Sequence, residues 1–322
     1  MSSQDVIVDS GSRRSRLKGR SMNLNLFSFE HSGGLKDRLL TALIVLSVAL
    51  ALSLLAIYLP YGRLLCVAWA MTVVVVSIFE VVRLFARNND TLAYRPLHAI
   101  IVYTVLVLPG LAAASVAATS VFGYAIDWTL LYLSLLVAGV GLVIVQVFEG
   151  RTQLDNASRF AERYGVAFLL LGVCAPQLIV LSALPNGVQL VWWLAGVVAL
   201  NDTSAYFAGR AFGRHTMAPA LSPKKTVEGM LTGLVVGALA GVVLWRFLLG
   251  DGVSTGKLIF ISLLATLAAQ AADLSKSYLK RLRGVKDTGA FFPGHGGILD
   301  RFDGMIGAAP VVLVALALLG GL

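Results

Sequence analysis

The sequence predicts an all-helical chain that crosses a membrane about nine times, and three observations carry that prediction. Hydrophobic residues make up 57% of the 322 residues and charged residues only 13%, with a mean hydropathy of +0.82, well outside the range of a water-soluble domain. Apolar stretches of about 20 residues, the length needed to span hydrocarbon, recur along the chain with short polar segments between them. Lys and Arg alternate from one connecting segment to the next, as expected of a chain threaded back and forth through a bilayer. Backbone polar groups in lipid must be satisfied internally, so the apolar stretches are read as helices.

Residues 1–35 mix Ser, Gly, Arg and Asn without apolar periodicity and read as a disordered or surface-lying basic tail. No short apolar region with a small-residue cleavage site follows its basic cluster, so no removable signal peptide is expected. The predicted spans are 39–58, which serves as an uncleaved anchor, then 65–85, 97–118, 128–148, 165–184, 188–209, 230–249, 257–275 and 305–321. No internal repeat or long linker divides them, so residues 36–322 form one transmembrane domain. Cys66 and Cys174 fall inside spans and read as small core residues, neither a metal motif nor a disulfide framework. Gln146, Gln177 and Gln270 are isolated intramembrane polar residues, expected to bond to neighbouring helices.

Of the 26 Lys and Arg, all but Arg63, Arg246 and Lys257 fall in the tail or in the second, fourth, sixth and eighth loops. This places the N-terminus in the cytoplasm and the C-terminus outside. The net charge of +9 is thus accounted for by orientation, and nucleic acid is not expected as a partner. Two cytoplasmic loops, 210–229 and 276–304, are rich in Gly, Lys, Arg and Asp, whereas the outside loops are short and plain. Chemistry is therefore expected on the cytoplasmic side.

The eighth loop carries the densest pattern. Asp273 ends the preceding span, and Ser277 and Lys280 follow on its helical face one and two turns later. Asp300 and Asp303 stand at i and i+3 where the last helix begins, and can meet Asp273 if the loop folds back. Three carboxylates on two helix ends form a hard-oxygen cage suited to Mg²⁺. Lys280, Arg281, Arg283 and Lys286 supply cations for phosphates, and the glycines around His295 allow backbone N–H groups to approach phosphate oxygens. Each feature alone has a plain structural explanation: Asp300 as a helix cap, the cations as orientation signals, the His as a turn residue. Together, at a lipid interface, they favour a metal–phosphate site.

A second constellation runs through Asn201-Asp202-Thr203, Arg210 and Ser222-Pro223-Lys224-Lys225-Thr226-Val227-Glu228-Gly229. Asp202 lies about 10 Å below the end of its span, where an ionised carboxylate needs a partner: a metal, Arg210, or a sugar or base of a nucleotide. The Ser-Pro-Lys-Lys-Thr run lacks Walker A spacing. Glu80, with Arg83 and Arg87 at i+3 and i+7, reads as a structural ion pair near the headgroups.

The run from Ser277 to Asp303, Ser-x-Leu-Lys-Arg, then Lys286-Asp287, then Phe-Pro-x-His-Gly-Gly-Ile-x-Asp-Arg-Phe-Asp, closely resembles the signature of the phosphatidate cytidylyltransferase family. The Asp202-Thr203 and Ser222-Pro-x-Lys-Thr-x-Glu-Gly segments, and more weakly Glu80 with Arg83, resemble further blocks of that family, so that the likeness covers about 36–322. The resemblance implies a polytopic helical enzyme of the inner (plasma) membrane that makes CDP-diacylglycerol from CTP and phosphatidic acid, with its active site facing the cytoplasm. It implies Mg²⁺ held by Asp273 and Asp300, with Asp303 nearby and a second cation possible. Asp273, Asp300, Asp303, Lys280 and Lys286 are implied in catalysis, and Arg281, His295, Arg301, Asp202, Ser222 and Lys225 in substrate binding. Val227, Ser204, Ala272 and Lys276 depart from the usual pattern, Lys276 at a position that is often acidic. A homodimer is compatible with this reading, and nothing in the sequence demands one. The rivals are a transferase or CTP-dependent kinase acting on another lipid, and a transporter coupling ions through Asp202, Glu80 and Asp273. Against the transporter stand the missing inverted repeat and the one-sided charge.

Overall fold

In the computed structural model, residues 47–48, 50–51, 53–59, 61–86, 96–124, 128–150, 158, 160–289, 291 and 296–318 are described. The basic tail lies outside these residues, as do His295 and half of the first predicted span. Residues 53–58 of that span are helical, and the Trp192 indole N–H donates to Ser53 Oγ at 2.7 Å.

Eight α-helices follow: α1 Arg63–Ala86, α2 Pro96–Val121, α3 Thr129–Gly150, α4 Ala175–Ala183, α5 Gly187–Phe212, α6 Val227–Leu249, α7 Thr255–Leu282 and α8 Leu299–Leu318. Wide-turn π-helical segments, Ala161–Gly165 and Phe168–Cys174, lead into α4. Among the described residues, six helical stretches are long and apolar enough to cross a membrane, and Val105–Val121 is a shorter apolar one. The protein is thus an all-α integral membrane protein. The expected all-helical character has one local exception, a hairpin between α5 and α6. Its strands β1 (Thr216–Ala218) and β2 (Ser222–Thr226) pair antiparallel with Thr216 opposite Thr226.

Several boundaries differ from the sequence expectation for a common reason. Helix α7 continues to Leu282 and α8 starts at Leu299, so the predicted loop 276–304 shrinks at both ends. The extra turns are amphipathic and extend beyond the apolar stretch that a hydropathy reading detects.

Two helix groups pack differently. In α1–α4 the contacts are mostly apolar, and Ile78, Val81, Phe85, Leu106, Leu131 and Leu178 are buried in one continuous core, with polar links at one end where Arg63 donates to the Ala183 and Val121 carbonyls and Ser120 to the Ala183 carbonyl. Cys66 and Cys174 are free, partly buried and packed against that core. In α5–α8 the helices come closer, because α6 carries Gly229, Gly233, Gly237 and Gly241 one turn apart on one face. A Cβ on Gly229 would stand 2.6 Å from the Ala205 carbonyl oxygen, and one on Gly233 2.7 Å from Asn201 Oδ1. Close approach permits polar links between helices. Gln270 Nε2 donates to Asn201 Oδ1 at 2.7 Å and to the Met230 carbonyl at 3.2 Å, and the Trp193 indole N–H donates to the Gly241 carbonyl at 2.8 Å. Gln270 thus bonds between helices as expected. Helix α8 packs on both groups, against α7 and α4.

Candidate active site

The chain enters and leaves the candidate site at one end of the bundle, where α1, α5 and α7 finish and α6 and α8 begin. Helix α6 is started there by Thr226, whose Oγ1 accepts the Gly229 N–H at 3.2 Å. Glu228 holds the preceding turn: its carboxylate accepts the backbone N–H groups of Arg214 and His215 at 3.1 and 3.2 Å, and lies 2.7 Å from His215 Nδ1. This fixes the hairpin that carries Ser222 and Lys225. Arg281 on α7 donates from Nε to the Leu221 carbonyl at 3.0 Å, tying the hairpin turn to the helix opposite.

Lys225 reaches across from β2 and pairs with Asp273 Oδ2 on α7. The other oxygen of Asp273 lies 2.9 Å from Lys276 Nζ, one helical turn on. Lys276 is the centre of the cluster, with its side chain only 7% exposed. Its ammonium also stands 2.7 Å from Asp303 Oδ2, 3.9 Å from Asp300 Oδ1 and 3.3 Å from the Asp300 carbonyl oxygen. Lys280, one turn further along α7, pairs with Asp300 Oδ1 at 2.9 Å. Three carboxylates and three ammonium groups from β2, α7 and α8 therefore interlock, and their formal charges cancel. The expected convergence of Asp273, Asp300 and Asp303 is present.

The loop between α7 and α8 is held by two carboxylates. Asp300 Oδ2 accepts the Thr288 backbone N–H at 2.8 Å, the Thr288 hydroxyl at 2.9 Å and the Gly297 N–H at 3.2 Å. Glu80, buried on α1, accepts the N–H groups of Ile298 and Leu299 at 2.8 and 3.0 Å and lies 3.3 Å from the Thr288 hydroxyl. Gly289 and Gly297 pack directly on this carboxylate; a Cβ on Gly289 would stand 2.6 Å from Glu80 Oε1. Glu80 is thus an N-terminal anchor of α8, satisfying backbone donors that a helix start leaves open. This corrects the expected ion pair with Arg83, which is exposed and lies over the Phe79 ring, 4.4 Å from its centroid. The true partners are more than 200 residues away, beyond the reach of helical spacing.

Other expected residues sit around this core. Asp202 lies within α5, ten residues before its end, with its side chain not covered by the protein's own core. Its Oδ1 accepts from Asn201 Nδ2 at 2.9 Å, and it faces the charges of Asp273, Lys225 and Lys276. Arg210, one of the three partners considered for Asp202, donates to the Tyr206 hydroxyl at 3.4 Å. Ser222 is half-buried at the start of β2; Lys286 lies exposed on the α7–α8 loop and Arg301 exposed in the first turn of α8. Sequence reasoning missed two organising groups. Lys276 passed as a variant position and Glu80 as a headgroup ion pair.

The carboxylate oxygens of Asp273 and Asp300 are already engaged as these side chains stand. Both Asp273 oxygens are ion-paired, and Asp300 accepts four donors from Lys280, Thr288 and Gly297. An entering ion would have to displace Lys225, Lys276 or Lys280. Among the described residues, no group of three or more His, Cys, Asp or Glu is placed to hold a metal.

Comparison with known proteins bears on what such a site does. The sequence profile of the cytidylyltransferase family matches residues 36–319, nearly all of the chain. The chain belongs to the cytidylyltransferase family. Within it, the chain is 37% identical over 131 residues to the phosphatidate cytidylyltransferase of Staphylococcus haemolyticus, covering 41% of this chain and 50% of that protein. It is 35% identical over 154 residues to that of Bacillus subtilis, covering 48% and 57%. With that of Mycobacterium tuberculosis it shares 38% identity over 134 residues, covering 42% and 40%. The chain therefore aligns with about half the length of the curated relatives it matches.

Proposed function

We propose that this cytidylyltransferase-family protein transfers the cytidylyl group of CTP to phosphatidic acid, giving CDP-diacylglycerol and pyrophosphate. The observation that carries the reading is the meeting of Lys225 with Asp273. It joins the hairpin segment and the α7–α8 signature, two motifs that the resemblance assigns to nucleotide and phosphate handling, in one ion-paired cluster. The names of the relatives support phosphatidate as the acceptor.

In the proposed reaction a phosphate oxygen of phosphatidate attacks the α-phosphorus of CTP in line. The new oxygen–phosphorus bond forms as the bond from the α-phosphorus to the bridging β-phosphate oxygen breaks, and pyrophosphate leaves. The attacking group arrives as an anion, so no general base is required, and the protein's task is positioning and charge compensation. Lys225 and Lys280, at 29% and 16% exposure the more open of the three lysines, are placed to exchange a carboxylate for a phosphate. Lys286, Arg281, Arg301 and His295 are the further substrate groups that the resemblance implies. The carboxylates Asp273 and Asp300 hold the lysines in readiness, while Asp202 and Ser222 line the nucleotide side. The resemblance implies Mg²⁺, but the donors at Asp273 and Asp300 are already engaged and no step is assigned to it.

A cytoplasmic-facing site in the plasma membrane belongs to the same proposal. CTP is a cytosolic solute, and the lipid can enter sideways from the inner leaflet. The test is pyrophosphate release by the purified, detergent-solubilised chain, with CTP, phosphatidate and divalent salt omitted in turn and lipid products identified by mass. Release that needs both substrates and yields CDP-diacylglycerol is expected. Turnover with another lipid phosphate but none with phosphatidate would move the reading to a different acceptor.

A further inference from the structure

We infer that Lys276 is the resident cation of the oxygen cluster formed by the Asp273 and Asp303 carboxylates and the Asp300 carbonyl: its tethered ammonium takes the place that a divalent ion would otherwise enter. The inference deepens the proposed function, and rests on it for the significance of the cluster but not for the cation seat itself.

The first support is coordination. An ammonium carries donors and no acceptor; Lys276 Nζ donates to the Asp300 carbonyl at 3.3 Å and is ion-paired with Asp303 Oδ2 at 2.7 Å and Asp273 Oδ1 at 2.9 Å. The Asp300 side chain closes a fourth side at 3.9 Å. A cage of carboxylate and carbonyl oxygens from two helices is the donor set that hard cations select, and here it encloses a lysine.

The second is burial. The side chains of Lys276, Asp300 and Asp303 are 7%, 8% and 9% exposed. A lysine serving only as an orientation signal keeps its ammonium in water; this one has been drawn in, past the rim where Lys225 and Lys280 sit.

The third is charge. With Lys225, Lys276 and Lys280 in place, the formal charges of Asp273, Asp300 and Asp303 are balanced. A divalent ion entering the cage would meet an ammonium at its centre, and a tethered ammonium one turn from Asp273 does not diffuse away. Lys276 is therefore a positioning residue. It joins the end of α7 to the start of α8 before any substrate or metal arrives, so that the two helix ends stay assembled whatever the divalent concentration.

The consequence is testable without turnover. Purified full-length protein, free of nucleotide and lipid, is titrated with Mn²⁺ and the free ion read by electron paramagnetic resonance, alongside thermal unfolding with and without Mg²⁺. For the wild type we expect no saturable Mn²⁺ site below roughly millimolar concentration and no change in melting temperature on chelation. Lys276→Gln leaves the oxygens without their cation and is expected to gain one Mn²⁺ site per chain, at least about tenfold tighter, together with stabilisation by Mg²⁺. Lys276→Arg, which keeps the charge, is expected to gain none. A wild-type chain that binds one Mn²⁺ as tightly as Lys276→Gln, and loses it in Asp273→Asn, overturns the inference, as does a folded Lys276→Gln protein that gains no site. Should Lys276→Gln fold under no condition, the wild-type and Asp273→Asn titrations decide alone. Loss of pyrophosphate release with these binding results intact would count against the proposed function, not against the lysine's place.

Discussion

Helices α1–α4 and α5–α8 solve the problem of packing in lipid by different means. The first group relies mainly on apolar side chains filling one another's gaps, with many hydroxyls spent on their own helix, as where the Ser182 hydroxyl donates to the Ile179 carbonyl at 2.6 Å, and with cross-helix polar bonds from Arg63 and Ser120 at one end. The second group gives up side-chain volume at Gly229, Gly233, Gly237 and Gly241 so that backbones approach and polar side chains link helices. The difference fits the half in which the proposed chemistry is placed. Close helices with cross-helix polar bonds hold a charged cluster in place, and the apolar half forms a wall against which that cluster is braced. The wall reaches into the site at α1, where Glu80 anchors α8 and the Phe85 carbonyl accepts from Arg283.

Breaking the reactive half should have the largest effect. Asp300→Asn removes the charge that holds Lys280 and weakens the acceptor for Thr288 and Gly297, and is expected to lower transfer by about a hundredfold or more, measured as CDP-diacylglycerol formed per minute by protein that still elutes as a single species. Next comes the brace. Glu80→Ala leaves the buried N–H groups of Ile298 and Leu299 without acceptors, at about 1–3 kcal/mol each, so a lowered melting temperature and reduced turnover should appear together. Glu80→Gln keeps acceptor capacity on one oxygen and should fall between. Gly233→Val then tests close packing itself: its Cβ is pressed against Asn201 and Ala205, and the expected loss of about 1–3 kcal/mol should be visible in thermal unfolding. Leu136→Met, on an exposed face of α3, is the control for the apolar half and should change stability by less than about 0.5 kcal/mol. Equal sensitivity at Gly233 and Leu136 would erase the contrast between the halves.

Much of the fold was legible because hydropathy and basic-residue alternation are local properties. Each described helix overlaps a predicted span, and the errors lie at the ends near the site. There Lys276 and Lys280 continue α7, stabilised by partners on α8 that a window along the sequence does not see. The hairpin was hidden for the same reason; its anchor is the Glu228 contact with Arg214 and His215 across a turn. Within the site, the convergence of Asp273, Asp300 and Asp303 was readable from their positions on two helix ends, whereas their common partner was not. A lysine at the cytoplasmic end of a span is by default an orientation signal, and only the fold places Lys276 among three carboxylates. Glu80 offered one clue: a carboxylate inside an apolar helix, in a chain whose glycine-rich loop needs acceptors for its backbone. Spacing pointed to Arg83 because helical spacing knows only near neighbours.

The central claim, that the cluster at the ends of α7 and α8 transfers a cytidylyl group rather than a phosphoryl group or an ion, is tested most directly by following the label of CTP. Purified protein in phosphatidate-containing micelles is given CTP labelled at the α-phosphorus in one reaction and at the γ-phosphorus in another, and lipid and aqueous products are separated. The account predicts α-label in the lipid fraction and γ-label in pyrophosphate, both lost in Asp300→Asn. Label from the γ-position in the lipid would make the protein a lipid kinase, and label in neither lipid fraction from a folded, substrate-supplied protein would contradict the transfer itself.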